Sequence, residues 1–419
     1  MKIFLTSIGT RGDVEPFLAI GEKLYQKGHE VVFAFPEQFS KLIPEAHRFY
    51  ALSPKIIELI ESNEGRMVMG KASLVLKLKA LRYLYKEGVK VNKELLKEQY
   101  ITIKNENPDI IIHNVKCNYP LLWSMKYNKK TFLVSPVPYF IHYVKNHSHI
   151  GFNKDFGKFI NKLTYRISNF GLVKTIYDAQ KNIPEDYSFS KKQIRETLFA
   201  QELIYTISTS LFKRPDSWED NVQVMGYHER HKTMNWKPDE HLTHFLEAND
   251  KVLFLTFGSM VNSFPQETSE LIYQELNRLK IPTIINTASG GLIEINDYTQ
   301  HKNFHFVEDI PYDWIFDKVY GVIHHGGSGT THTALKYGCA SLIIPHIIDQ
   351  FAWNNIISKL GAGPRGISIN KLKSENLNRL ISDLYTNKKY KDSAIEISKN
   401  MKQEQLENKL YEHILKKTG

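Results

Sequence analysis

The chain has 419 residues, enough for two domains of about 200 residues, each with its own core. The hydrophobic fraction of 42% and charged fraction of 24% are ordinary for a globular protein. Two distant cysteines, Cys117 and Cys339, exclude a disulfide framework and a cysteine metal cluster, so a reducing cytoplasm is expected.

A net charge of +10 invites nucleic acid as a partner, but the chain has no zinc-finger spacing, aromatic RNA-binding signature or reader helix. An anionic ligand, or peripheral contact with the anionic inner face of a membrane, fits the balance better. No apolar run approaches the ~18–20 residues needed to span a bilayer.

The N-terminal run KIFLTS (2–7) reads as a buried strand rather than a signal peptide, because it enters a glycine turn directly. The turn is Gly9-Thr10-Arg11-Gly12-Asp13; a helix is expected over 14–27, capped by Gly28, and a second strand over 30–35. The turn lacks G-x-G-x-x-G, which sets aside a dinucleotide fold.

From 67 to 106 the pattern is helical and basic, with lysines interleaved among leucines. It reads as a core-packing amphipathic helix with a solvated lysine face; contact with a membrane surface or lipid acceptor is the alternative. Strands follow at 110–113, 131–134 and 203–208. The aromatic and basic stretch 138–182 between them is expected to face an acceptor; His142, His147 and His149 match no metal-ligand spacing.

Polar sequence from 213 to 244 reads as a connection, and a fresh α/β pattern begins at Lys251, with strands at 252–257, 282–286, 304–307, 321–324 and 341–344. The fold class expected is α/β: two Rossmann-like doubly wound domains facing each other across a cleft. The boundaries are an N-terminal domain over 1–215, a linker over 216–245, a C-terminal domain over 246–400, and a tail helix over 401–419.

The richest stretch is VIHHGGSGTTHTALKYGCASLIIPHIIDQ, residues 322–350. It reads as strand, glycine turn, helix and strand, a right-handed βαβ unit. Glycines let a backbone approach a ligand, and the following helix start offers unpaired N–H groups with partial positive charge. That combination suits a phosphate, with hydroxyls from Thr330 and Thr331 and a ring N–H from His325. An unliganded strand-to-helix turn is the alternative. Asp349-Gln350 lies past the next strand, where open sheets place ligand-contacting groups; Asp would accept from, and Gln both donate to and accept from, sugar hydroxyls.

The spacing from His325 through Thr330 to Asp349-Gln350 resembles the donor-binding signature of the family 1 nucleotide-sugar glycosyltransferases. It is closest to the bacterial and fungal branch with sterol, lipid and antibiotic glycosyltransferases. The resemblance implies a donor site of Gly12, Gly258, Ser259, Ile310, His325, Gly327, Ser328, Gly329, Thr330, Asp349 and Gln350. The run Ile310-Pro311-Tyr312-Asp313-Trp314 resembles the sterol-transferase branch, with the Ile310 backbone reading the base and Trp314 in the core. Plant relatives have a ribose-binding glutamate where this chain has Thr333.

The family has a histidine base where this chain has Asp13, and an orienting aspartate where it has Asn114. Asp13 is therefore the expected base and His325 its catalytic partner at the diphosphate. The alternative for Asp13 is a helix N-cap, with His113 as reserve base. Asn114, Tyr139 and Phe140 are the acceptor candidates. With no D-x-D run, no metal or cofactor is expected: the turn amides, helix dipole and His325 would neutralise the leaving group.

The function expected is inverting, metal-independent transfer of a hexose from a UDP-sugar to a hydrophobic alcohol. Two other classes stay open: a sugar-nucleotide-binding partner protein without catalysis, and a sugar-nucleotide epimerase on the same architecture.

Overall fold

The computed structural model describes the chain except for residues 70–72, 153, 231–235, 259, 261, 405 and 419. It divides into two compact units: one of Met1–Val68, Ala72–Arg230 and Gln405–Gly419, and a second built on His231–Glu404.

The first unit carries seven strands: β1 Lys2–Thr6, β2 Glu30–Pro36, β3 Arg48–Leu52, β4 Ile110–His113, β5 Thr131–Ser135, β6 Glu202–Tyr205 and β7 Val222–Val224. All neighbours pair parallel, in the order β3-β2-β1-β4-β5-β6-β7. The sequence shows five of these strands. β3 is exposed or half-buried at every residue but Leu52, so it lacks the apolar run of a central strand. β7 has three residues and lies inside the stretch read as a linker, which therefore belongs in part to the first sheet. Too short to show a period, it is recognisable only by its pairing with β6.

The second unit has β8 Leu253–Thr256, β9 Thr283–Asn286, β10 Phe304–Val307, β11 Gly321–His324 and β12 Ala340–Ile343, in the parallel order β10-β9-β8-β11-β12. Its strands are apolar on both faces: Leu253, Leu255 and Ile323 enter one core cluster, and Phe254, Ile284 and Val322 enter another. Burial on both sides is why these strands read as unbroken hydrophobic runs.

Three helical features bear on the site. Arg11–Gln26 starts one turn earlier than its hydrophobic pattern suggests, with Thr10 as N-cap. The long basic segment is two helices, Asn63–Met69 and Leu74–Glu106; Ser73 caps the second, its Oγ accepting the Leu76 N–H at 3.5 Å. The final helix, Glu407–Thr418, packs on the first unit, with Leu410 and Ile414 in that unit's core. His413 Nε2 lies 3.0 Å from Glu202 Oε2 and Lys417 Nζ 2.8 Å from Glu202 Oε1, tying the helix to β6.

Both sheets reverse strand order once. The switch falls between β1 and β4 in the first unit and between β8 and β11 in the second. Loops leaving the carboxyl ends of two such strands diverge to opposite faces and open a crevice, the usual ligand position in doubly wound sheets.

Candidate functional site

The second unit's switch point is formed by the turns after β8 and β11. His325 follows β11 directly, and the Ser328–Lys336 helix begins three residues later with Gly327 as its N-cap. The first intrahelical bond is Thr331 N–H to Gly327 O at 2.9 Å, so the amides of Ser328, Gly329 and Thr330 have no acceptor within the helix. Gly326 has φ +94°, a conformation that only glycine adopts easily, and a Cβ there would strike Ile343.

His325 is 7% exposed, and its Nδ1 has no hydrogen-bond partner among the described residues. Burial, with smaller contributions from His324 and His346, holds its pKa well below the ordinary value. At neutral pH the ring is an uncharged imidazole with one donor and one acceptor. It therefore brings a hydrogen bond to the turn, while the positive potential comes from the helix start. This refines the sequence expectation, which grouped His325 with the dipole as a substitute for a cation.

Gly258 and Gly327 serve that ring. A Cβ on Gly327 would overlap His325 Nε2, and one on Gly258 would lie 2.8 Å from its Cε1. The Gly258 N–H donates to Thr256 Oγ1 at 3.0 Å, so this glycine, expected at the donor site, contributes clearance for the ring rather than a free amide. Ser259 lies outside the described residues. Thr331, expected as a hydroxyl donor, is fully buried and bonds Gly327 O at 2.8 Å instead. Thr333 bonds Gly329 O at 3.0 Å, a back-bond within the helix.

Asp349 and Gln350 occupy the first turn of the Ile348–Lys359 helix, which follows β12. Gln350 Oε1 accepts from the His346 and Ile347 N–H groups at 2.7 and 3.1 Å. Its oxygen is thus committed to shaping the turn, and only the NH2 end is suited to a ligand. Ile310 is buried in the loop after β10, and that loop is tied back to β8 by Tyr312 Oη at 2.8 Å from Thr256 Oγ1. Trp314 packs 4.8 Å from Trp236, half-buried against the core cluster.

In the first unit, Asp13 is the third residue of its helix rather than the N-cap. Its Oδ2 accepts the Thr10 N–H at 2.9 Å, and Lys116 Nζ sits 2.8 Å from both carboxylate oxygens. Asn114, an acceptor candidate, is spent internally: Nδ2 donates to Ser7 Oγ and Ile8 O at 2.9 and 2.8 Å, and Oδ1 accepts from Lys116 N–H at 3.1 Å. It fixes the loop that carries Lys116, which the sequence reading missed. Gly12, in the same helical turn, has open space where a Cβ would sit, with only Thr10 Oγ1 within 4 Å, at 3.8 Å.

His113 is ruled out as a base by enclosure. It is fully buried at the end of β4, its Nδ1 lies 2.9 Å from Asn114 O, and burial lowers its pKa to about 4. Tyr139 is likewise core, stacked on His147 at 4.1 Å. Phe140 is different. With Ile8, Lys116, Asn118 and Leu172 it lines a mainly apolar pocket of about 340 Å³, which places a hydrophobic hollow beside the Asp13–Lys116 pair. A larger polar hollow of about 750 Å³ on the second unit, lined by Arg365 and Arg379, shares no residue with the glycine turn.

The chain carries two parallel doubly wound sheets, each with a reversal of strand order, the architecture of the GT-B class. The Glycosyltransferase family 28 N-terminal domain matches residues 3–116, and the C-terminal domain of the Erythromycin biosynthesis protein CIII-like family matches residues 294–412. The sterol 3-beta-glucosyltransferase UGT80A2 of Arabidopsis thaliana is 26% identical over 427 residues, covering 96% of this chain and 63% of its own length. The sterol 3-beta-glucosyltransferase of Saccharomyces cerevisiae is also 26% identical, with 96% of this chain and 34% of its own length covered. The chain thus spans less than two thirds of these relatives.

Among solved structures, the glycosyltransferase SnogD from Streptomyces nogalater superposes with a TM-score of 0.66 at 16% identity, covering 100% of both chains. The glycosyltransferase of kitacinnamycin gives 0.69 at 14%, covering 100% of this chain and 99% of its own. The chain is thus similar at its two ends to two glycosyltransferase domain families, and over 96% of its length to sterol 3-beta-glucosyltransferases.

Proposed function

We propose that this protein transfers glucose from UDP-glucose to a hydroxyl of a hydrophobic alcohol (a sterol, lipid or polyketide), with inversion and without a divalent metal. The observation that carries the reading is the β11 turn: a neutral His325 with an unpartnered Nδ1, held between two glycines at a helix start whose first three amides make no intrahelical bond. A diphosphate supplies acceptors for all of these groups, and the helix start stabilises the charge that grows on the leaving UDP.

The acceptor belongs to the first unit, where the 340 Å³ hollow suits an apolar body. Its hydroxyl oxygen attacks the anomeric carbon, the bond to the diphosphate oxygen breaks, and the hydroxyl proton passes to Asp13. The carboxylate must yield part of its contact with Lys116 or Thr10 to take that proton, so transfer is expected late in the displacement. A single displacement inverts the anomeric centre.

Release of UDP from UDP-glucose in EDTA, with and without a panel of sterols and hydrophobic alcohols, tests the proposal. Acceptor-dependent release that persists in EDTA supports it; an absolute need for added Mg²⁺ overturns the metal-free part. TDP-glucose in parallel separates uracil from thymine donors. UDP-glucose converted to another sugar nucleotide without any acceptor would establish an epimerase instead.

A further inference from the structure

The first unit carries two neighbouring helices whose outer faces are apolar and bare. On Leu74–Glu106, Val75, Leu78, Leu81, Tyr85 and Val89 fall on one arc of the helix and are all exposed, Tyr85 at 74%. On Lys158–Gln180, Phe159, Leu163, Ile167 and Phe170 do the same, with Phe159 at 81% and Phe170 at 65%. The opposite faces are spent on the unit's own packing, through Ala80, Val91 and Leu95 on the first helix and Tyr165 and Ile176 on the second. Single exposed apolar residues are unremarkable, but aligned rows of large side chains on adjacent elements mark a surface that is covered in use.

The two rows belong together. Tyr85 contributes to the electrostatic surroundings of Lys174 on the second helix, and Asn92 of the first lines the same apolar pocket as Ser168 and Leu172 of the second. Basic residues border both rows: Arg82 and Lys86 beside the first, Lys158, Lys162 and Arg166 beside the second. Over 74–90 and 158–174 there are nine lysines and arginines against one acidic residue, Glu87, which bonds Lys90 at 2.8 Å. The nearest further acids along the chain are Asp155, Asp178 and Glu94; Asp178 is paired with Lys174 and Lys181, and Glu94 with Lys55.

We propose that these two helix faces form a docking surface for an anionic lipid bilayer. Apolar side chains backed by a one-signed basic border match a bilayer interface, where rings and aliphatic chains sit among the headgroups and lysines meet phosphate. A second copy of this chain is a poorer occupant, because a border of predominantly one sign would face its own kind across a two-fold axis. Among the described residues no helix is long and apolar enough to cross a membrane, so the contact is with the surface. The pocket between the helices would then open toward the layer that dissolves apolar alcohols. The docking surface stands whether or not that pocket takes the acceptor.

The test is co-sedimentation of the full chain with phosphatidylcholine vesicles, with and without phosphatidylglycerol, in the absence of any sugar nucleotide. Binding is expected only with the anionic lipid, and it weakens with added salt. Phe159→Ser with Phe170→Ser, and separately Lys158→Glu with Arg166→Glu, should each lower binding at least about tenfold with an unchanged melting temperature, since all four side chains are exposed. Absence of binding at low salt, or equal binding by both double variants, overturns the proposal. So does a dimer in sedimentation equilibrium that Phe159→Ser dissociates, which would assign the face to a second copy.

Discussion

Lys116 Nζ lies 2.8 Å from both carboxylate oxygens of Asp13, although the two residues are 103 apart in the chain. Asn114 sets this geometry: its side chain holds the β1 loop through Ser7 and Ile8 while accepting the Lys116 amide. Asp13 is thus fixed by a lysine from the loop that Asn114 holds.

If Asp13 accepts the acceptor proton, Asp13→Asn lowers turnover by about 10²–10⁴-fold with UDP affinity unchanged. Lys116→Met costs about tenfold in turnover, since the carboxylate loses one anchor and keeps the Thr10 amide. Initial rates of UDP release and calorimetric UDP binding separate the two quantities. Loss of affinity with intact turnover would take the pair out of the chemistry.

The glycines expected at the donor site make a graded series. Gly327→Ala and Gly258→Ala push a methyl against the imidazole, and Gly258 also has φ +57°, so each should weaken UDP binding at least about tenfold. Gly12→Ala meets only Thr10 Oγ1 at 3.8 Å, so the melting temperature stays within a degree or two of wild type. Titration of all three variants with UDP, beside thermal melts, checks both halves.

Acid should unfold this protein early. Burial lowers His113, His332 and His346 to about 4 and His324 to about 3, against an ordinary value near 6.5. Between pH 6.5 and 4 the unfolded chain binds protons that the folded chain refuses, so stability falls as pH falls. Each such histidine adds up to about 1.4 kcal/mol per pH unit across that window and nothing above about pH 7. Urea unfolding at pH 7.5, 6.0 and 5.0 should show a flat upper region and a progressively lower midpoint; a midpoint insensitive to acid would contradict the buried neutral rings.

The C-terminal helix is structural for the first unit. Leu410 and Ile414 are 2% and 1% exposed in its core, so Leu410→Ala should cost about 2–5 kcal/mol. Denaturant unfolding followed by circular dichroism measures it, and a change below about 0.5 kcal/mol would show that the helix is dispensable.

By itself the sequence determined the two-domain α/β plan and the position of the glycine turn after β11. Central strands of parallel sheets are buried on both faces, so they appear as short apolar runs, and a glycine turn before a helix is a local signal. For that reason the second unit's five strands, His325 and the Ser328 helix start are all legible in order. Only the tertiary structure decided what those groups do to one another. Gly258 is 67 residues from the ring it clears and Lys116 is 103 from the carboxylate it holds, and no local pattern carries such distances. The edge strands β3 and β7 exist through their neighbours, and Asn114 and Gln350 turned inward because loop amides and carbonyls claimed their polar ends. Periodicity showed that 74–106 is amphipathic, but which apolar face stays bare depends on what packs against the other.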